Sequence, residues 1–132
     1  MALILADTDV LIDYLSDIEP VASQVTAHIT AEILQTTAIT CFELLSGAGE
    51  NKRGDSARRL VAAISILPLD QAAAVRAATL RRQLEGEGFS IGMADSLIAG
   101  IALVNELPLL TRNRKHFEKI EGLRLVPVEL RI

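Results

Sequence analysis

A chain of 132 residues, half of them hydrophobic and 23% charged, is sized for one domain, residues 1–132, with a substantial core. Only 3% of residues are aromatic, so that core must be aliphatic. A formal charge of −4 excludes whole-molecule attraction to nucleic acid, and the single cysteine, Cys41, excludes an intrachain disulfide and fits a reducing cytoplasm.

Leu3-Ile4-Leu5-Ala6 is a short apolar run, read as a strand buried on both faces. No basic segment precedes it, so a signal peptide is not expected. A helix should follow from about Asp9, capped by Asp9 or Thr8, with Val10, Leu11, Tyr14 and Leu15 at helical spacing. A second helix is expected over 19–34, with Pro20 in its first turn. The β-branched run 36–40 reads as the second strand and turns directly into a helix over 41–46. The polar, glycine-containing stretch 47–54 reads as a loop. Helices are expected over 56–65 and 71–85, with Ile66-Leu67 between them as a third strand. After a loop marked by Gly86, Gly88 and Gly92, residues 93–106 form an apolar helix. A fourth strand covers 108–111 and a last one 123–128. The longest apolar stretch, 91–110, is interrupted by Asp95, Asn105 and Glu106 and cannot serve as a membrane span.

Strands alternating with helices imply an α/β fold, a three-layer α/β/α arrangement around a mostly parallel sheet. In such folds ligands bind where strands end and helices begin. That directs attention to Asp7, to the corner from Thr40 to Glu43, and to the segment from Thr111 to Asn113. A carboxylate at a strand's end beside the core costs free energy unless it is paired or bound to a cation. Two acids in a row of three exceed what a helix cap requires, so Asp7 reads as functional and Asp9 as the cap. Glu43 and Asp95 each fall in the expected first turn of a helix, where an acid also suits the helix dipole. Taken together, three carboxylates at three strand-to-helix corners form a set able to hold Mg²⁺ or Mn²⁺ through oxygen. His28 reads as structural, and Phe42, Phe89 and Phe117 as core residues. Arg58, Arg59, Arg81 and Arg82 read as solvated helix faces or a partner surface.

Four segments carry a resemblance to a known family. Ala6-Asp7-Thr8-Asp9-Val10-Leu11-Ile12-Asp13 resembles the opening of PIN domains, an apolar strand followed by Asp-Thr-Ser/Asn-Val. Thr40 to Gly47 resembles their Thr-x-x-Glu-Leu-x-x-Gly. Asp95-Ser96-Leu97-Ile98-Ala99 is similar to their Asp-x-x-Ile-Ala, and Leu110 to Phe117 to their closing Thr-x-Asn/Asp-x-x-Asp/His-Phe. The likeness spans nearly the whole chain, in order, and points to the VapC-type toxins of toxin–antitoxin pairs.

The resemblance implies a metal-dependent ribonuclease in which Asp7, Glu43 and Asp95 are catalytic and bind Mg²⁺ or Mn²⁺. Asn113 and His116 occupy the positions where the family often has a fourth acid, so a second metal is in question. His116 could ligate metal or orient a phosphate, or could be a cap or surface residue. Thr8 and Thr111 could support a carboxylate or phosphate, and Arg112, Arg114 and Lys115 could contact RNA. An antitoxin and a homodimer are the implied partners, and the cytoplasm the implied location. Two competing expectations are a haloacid-dehalogenase-like phosphatase, from Asp7-Thr8-Asp9-Val10, and a catalytically degenerate PIN domain that only binds.

Overall fold

The computed structural model describes residues 2–128. Five strands form one sheet in the order β3-β2-β1-β4-β5, and every neighbouring pair is parallel. They are β1 (Ile4–Ala6), β2 (Leu34–Thr37), β3 (Ser65–Leu67), β4 (Leu109–Leu110) and β5 (Leu125–Val126). Between them run α1 (Thr8–Leu15), α2 (Val21–Thr30), α3 (Ala38–Ala48), α4 (Lys52–Ala63), α5 (Gln71–Gly86), α6 (Met93–Val104) and the single turn α7 (Arg114–Phe117).

The expected three layers follow from the pleat. Successive residues of a strand face opposite ways, so Leu5 joins one core and Ala6 the other. Leu109 and Leu110 divide in the same manner. On one side Leu5 and Leu109 pack with Leu80 and Leu84 of α5, Ile98 and Ile101 of α6, and Phe117 of α7. On the other, Ala6 and Leu110 pack with Val10 and Leu11 of α1, Val25 of α2, Leu44 of α3 and Leu60 of α4. Helices α5 and α6 touch so closely that a Cβ on Gly100 would lie 2.6 Å from the carbonyl oxygen of Ala73. No helix among the described residues is long and apolar enough to cross a membrane.

Several local expectations are corrected. The second strand is Leu34–Thr37, not 36–40, because Thr37 already caps α3 by accepting the N–H of Thr40. Glu43 consequently sits beyond the first turn of its helix, and α2 stops short of the buried Leu34. The cap of α1 is Asp7, which accepts the N–H of Thr8; Asp9 lies inside the helix. The loop expected over 47–54 shrinks, since Asn51 caps α4 by accepting the N–H of Gly54. The last strand keeps only Leu125–Val126 of the stretch 123–128. Phe117 is fully buried as expected, but Phe42 is 70% exposed and Phe89 42%.

The order of the strands fixes where a site can form. From β1 the chain builds outward through β2 and β3, then returns to add β4 and β5 on the other side. The crevice beyond the carboxyl ends of β1 and β4 is therefore the topological switch point, where open α/β sheets bind ligands. Ala6 is in register with Leu110, which sets Asp7 beside Thr111 at that crevice.

Candidate active site

Asp7 is 3% exposed. Its Oδ1 accepts the N–H of Thr8 at 2.8 Å and its Oδ2 the hydroxyl of Thr111 at 2.7 Å. Those bonds favour the ionised form, but burial and then the charge of Asp9 outweigh them, pushing the pKa from 3.8 up to about 7; Asp95 adds to the rise. Asp9 is also pushed up, chiefly by burial, against the pull of the backbone N–H and guanidinium of Arg112. Its Oδ2 accepts that N–H at 2.9 Å, while its Oδ1 is buried with no hydrogen-bond partner.

Glu43 enters from α3. The hydroxyl of Thr8 donates to its Oε1 at 2.7 Å. Thr8 Oγ1 also lies 2.9 Å from Thr40 Oγ1, and because the Thr8 proton points at Glu43, Thr40 must be the donor there. The hydroxyl of Thr37 donates in turn to Thr40 Oγ1 at 3.3 Å. Three hydroxyls thus form a directed chain that ends on Glu43 and orients it. Asp95, in the first turn of α6, meets His116 Nδ1 through its Oδ2 at 2.9 Å. Asn113 contributes its backbone N–H, which donates to Thr111 Oγ1 at 3.0 Å.

The expected residues are therefore gathered in two connected groups. Asp7, Thr8, Glu43 and Thr111 are linked through Thr8 and the β1–β4 crevice, and Asp95 reaches Asp7 by charge and His116 by contact. Arg114 and Lys115 are exposed on α7. The guanidinium of Arg112, expected to contact RNA, makes a two-point contact with the buried carboxylate of Asp13 that ties the β4–α7 corner to α1, while its side chain stays 45% exposed. Arg58 and Arg81 pair with Asp55 and Glu85 on their own helices, as solvated faces do. The structure brings Asp9, read from the sequence only as a cap, into electrostatic reach of Asp7. The available signal was the Asp-x-Asp spacing, which places both carboxylates at one helix start.

A hard divalent cation fits this set. The donors are carboxylate oxygens, two of the carboxylates are held toward their protonated forms chiefly by burial, and one buried carboxylate oxygen is orphaned. Among the described residues no three His, Cys, Asp or Glu groups are arranged to enclose an ion unaided. Mg²⁺ is suited to such a site, because it keeps several waters and takes one or two carboxylates.

The PIN-domain family model matches residues 4–123. "Ribonuclease VapC1" of Methanocaldococcus jannaschii is 31% identical over 126 residues, covering 92% of this chain and 85% of that protein. The "tRNA(fMet)-specific endonuclease VapC" of Shigella flexneri is 32% identical over 92 residues, covering 67% of this chain and 70% of the relative. Among solved structures, a toxin–antitoxin complex from Klebsiella pneumoniae superposes with a TM-score of 0.77 at 26% identity, over 96% of this chain and 99% of that one. The chain belongs to the PIN-domain family.

Proposed function

We propose that this PIN-family chain, acting as a single domain over residues 1–132, is a Mg²⁺- or Mn²⁺-dependent endoribonuclease and the toxin of a VapBC-type toxin–antitoxin pair. The observation that carries the reading is the carboxylate pair Asp7 and Asp9 at the β1–β4 switch point, raised in pKa and carrying an orphaned oxygen, with Asp95 in electrostatic reach. Relatives named as ribonucleases over most of this chain's length support it.

Asp7 and Asp95 would hold the cation, with Asp9 and Glu43 reaching it directly or through water. A bound Mg²⁺ or Mn²⁺ supplies positive charge at the phosphoryl oxygens and makes a water more acidic. Thr111 fixes the free rotation of Asp7, and the Thr37–Thr40–Thr8 chain fixes Glu43. Glu43, half-buried and tethered through one oxygen, has the other to accept a proton from the attacking water. His116 keeps Asp95 aimed and stands exposed beside it, where its ring can meet a phosphate. Lys115 and Arg114 offer cations to the RNA backbone. The proposed setting is the cytoplasm. Its proposed partners are an antitoxin, as in the Klebsiella pneumoniae complex, and a second copy of the chain. A homodimer would cover the exposed Val75 of α5 and Val104 of α6, which share a shallow apolar hollow.

The phosphatase reading loses its footing, since the PIN-domain model covers residues 4–123 and the relatives that match most of the chain are named as ribonucleases. The binding-only reading is separated by the test. Single-stranded RNA is incubated with protein and Mg²⁺ or Mn²⁺, with a chelator as control. Metal-dependent cleavage that falls by roughly 100-fold or more in Glu43→Gln or Asp95→Asn is the expected result. Chelator-resistant cleavage, or full activity in folded Asp95→Asn protein, would overturn it.

A further inference from the structure

A pocket of about 140 Å³ opens directly beside the acidic cluster, between the α5–α6 loop and α7. Asp95 and His116 form the wall it shares with the site; Lys115, Lys119, Phe89 and Ser90 are among the other residues that line it, over a floor that includes Leu84 and Ile91. Lys115 and Lys119 stand four residues apart along the turn of α7 and its extension, so both present to the same side. Phe89 is exposed, and the ammonium of Lys119 lies 4.1 Å from the centroid of its ring. That contact holds a flexible, exposed lysine over the pocket mouth.

We propose that this pocket is a backbone-phosphate subsite for the nucleotide next to the one cut, with Lys119 and Lys115 as its cations and Phe89 as the residue that positions Lys119. The inference rests on the ribonuclease reading and extends it. The pocket is too small for a whole nucleotide, since pockets that enclose a whole small ligand run from about 300 Å³ upward and this one is less than half that, and its two lysines favour a phosphate over a base. The ring of Phe89 already carries an ammonium on one face, so it serves the cation rather than a stacked base. The charge pattern agrees. Arg112, whose backbone N–H bonds to Asp9, pairs its guanidinium with Asp13 and does not line the pocket, whereas Lys115 and Lys119 do. A net charge of −4 makes such a local cationic patch necessary for holding a polyanion.

The test measures binding without cleavage. A fluorescent 12-nucleotide single-stranded RNA is titrated with Glu43→Gln protein in Mg²⁺, and anisotropy is followed at several salt concentrations. Adding Lys119→Gln should raise Kd roughly five- to tenfold and flatten the log Kd against log salt slope by about 0.7, the value for one phosphate contact on a single strand. Lys119→Arg should restore binding to within about twofold, and Phe89→Leu should fall between. Lys52→Gln, at the start of α4, controls for charge loss elsewhere and should change Kd less than about twofold. Unchanged Kd and slope in Lys119→Gln, with RNA still bound, would overturn the subsite while leaving the ribonuclease reading intact. Equal weakening by Lys52→Gln would overturn it too, by making the effect non-specific. Failure of the parent protein to bind RNA at all would overturn both readings.

Discussion

Replacing Asp7 by Asn should stabilise the metal-free protein at alkaline pH and leave it nearly unchanged in acid. A carboxyl whose folded-state pKa is raised opposes folding once it ionises. The loss therefore begins near the unfolded value of 3.8 and is complete above about 7. The gap between those values corresponds to a ceiling of roughly 4 kcal/mol at 1.36 kcal/mol per pH unit. Part of that belongs jointly to Asp9, whose own ionisation is eased when Asp7 loses its charge, so about 2 kcal/mol is the expected gain at pH 8. The amide preserves the local bonds. Its oxygen still accepts the N–H of Thr8, and its NH₂ can donate to Thr111 Oγ1 once that hydroxyl turns away. Urea unfolding with a chelator present, at pH 4 and pH 8, reads the difference between wild type and variant at each pH. Adding Mg²⁺ at pH 8 should then stabilise the wild type and not Asp7→Asn, because the repelling carboxylates that cost stability are the ones that would bind the ion. A difference between the proteins that is equal at both pH values, or a variant less stable at pH 8, would refute the reasoning.

Other perturbations test separate parts of the structure. His116→Ala should lower RNA cleavage far less than Asp95→Asn does, about tenfold against 100-fold or more, in steady-state kinetics with Mg²⁺. Equal losses would make the histidine a ligand or catalytic group in its own right. Arg112→Ala strands the buried carboxylate of Asp13 and should cost about 1–3 kcal/mol in urea unfolding at pH 7, and less in the double variant with Asp13→Asn. Gly100→Ala drives a methyl into the backbone of α5 at Ala73; overpacking of about 1–3 kcal/mol outweighs the ~1 kcal/mol gained in helix propensity, and thermal unfolding should show a net loss. Val104→Lys should leave folding intact by circular dichroism and shift sedimentation at micromolar concentration toward monomer if the α5–α6 face joins two copies.

What could be read from the chain alone was set by range. The strands were visible because a strand buried on both faces is apolar at every position, and Leu5-Ala6 and Leu109-Leu110 are such pairs. The acids at their ends were visible for the complementary reason: an apolar run followed at once by Asp7, or by Thr111, places a polar group where the sheet stops. The errors lie where a side chain's partner is distant or where two local signals compete. The run 36–40 is β-branched except at Ala38, but one hydrogen bond from the N–H of Thr40 to the Thr37 hydroxyl ends the strand early, and propensity yields to capping. Arg112 looked like a free cation because its partner Asp13 lies 99 residues away in sequence. Asp9 looked like a cap because helix starts favour acids, and only the packed structure shows that Asp7 holds that position while one oxygen of Asp9 has no partner. Phe42 and Phe89 were assigned to the core on hydrophobicity, a rule that runs one way: apolar residues fill cores, but surfaces also carry them. Their exposure has a physical consequence. Phe89 at the surface carries the ammonium of Lys119 over its ring beside Asp95 and His116, and in the proposed subsite that contact would keep a cation at the edge of the acidic cluster of a protein with a net charge of −4.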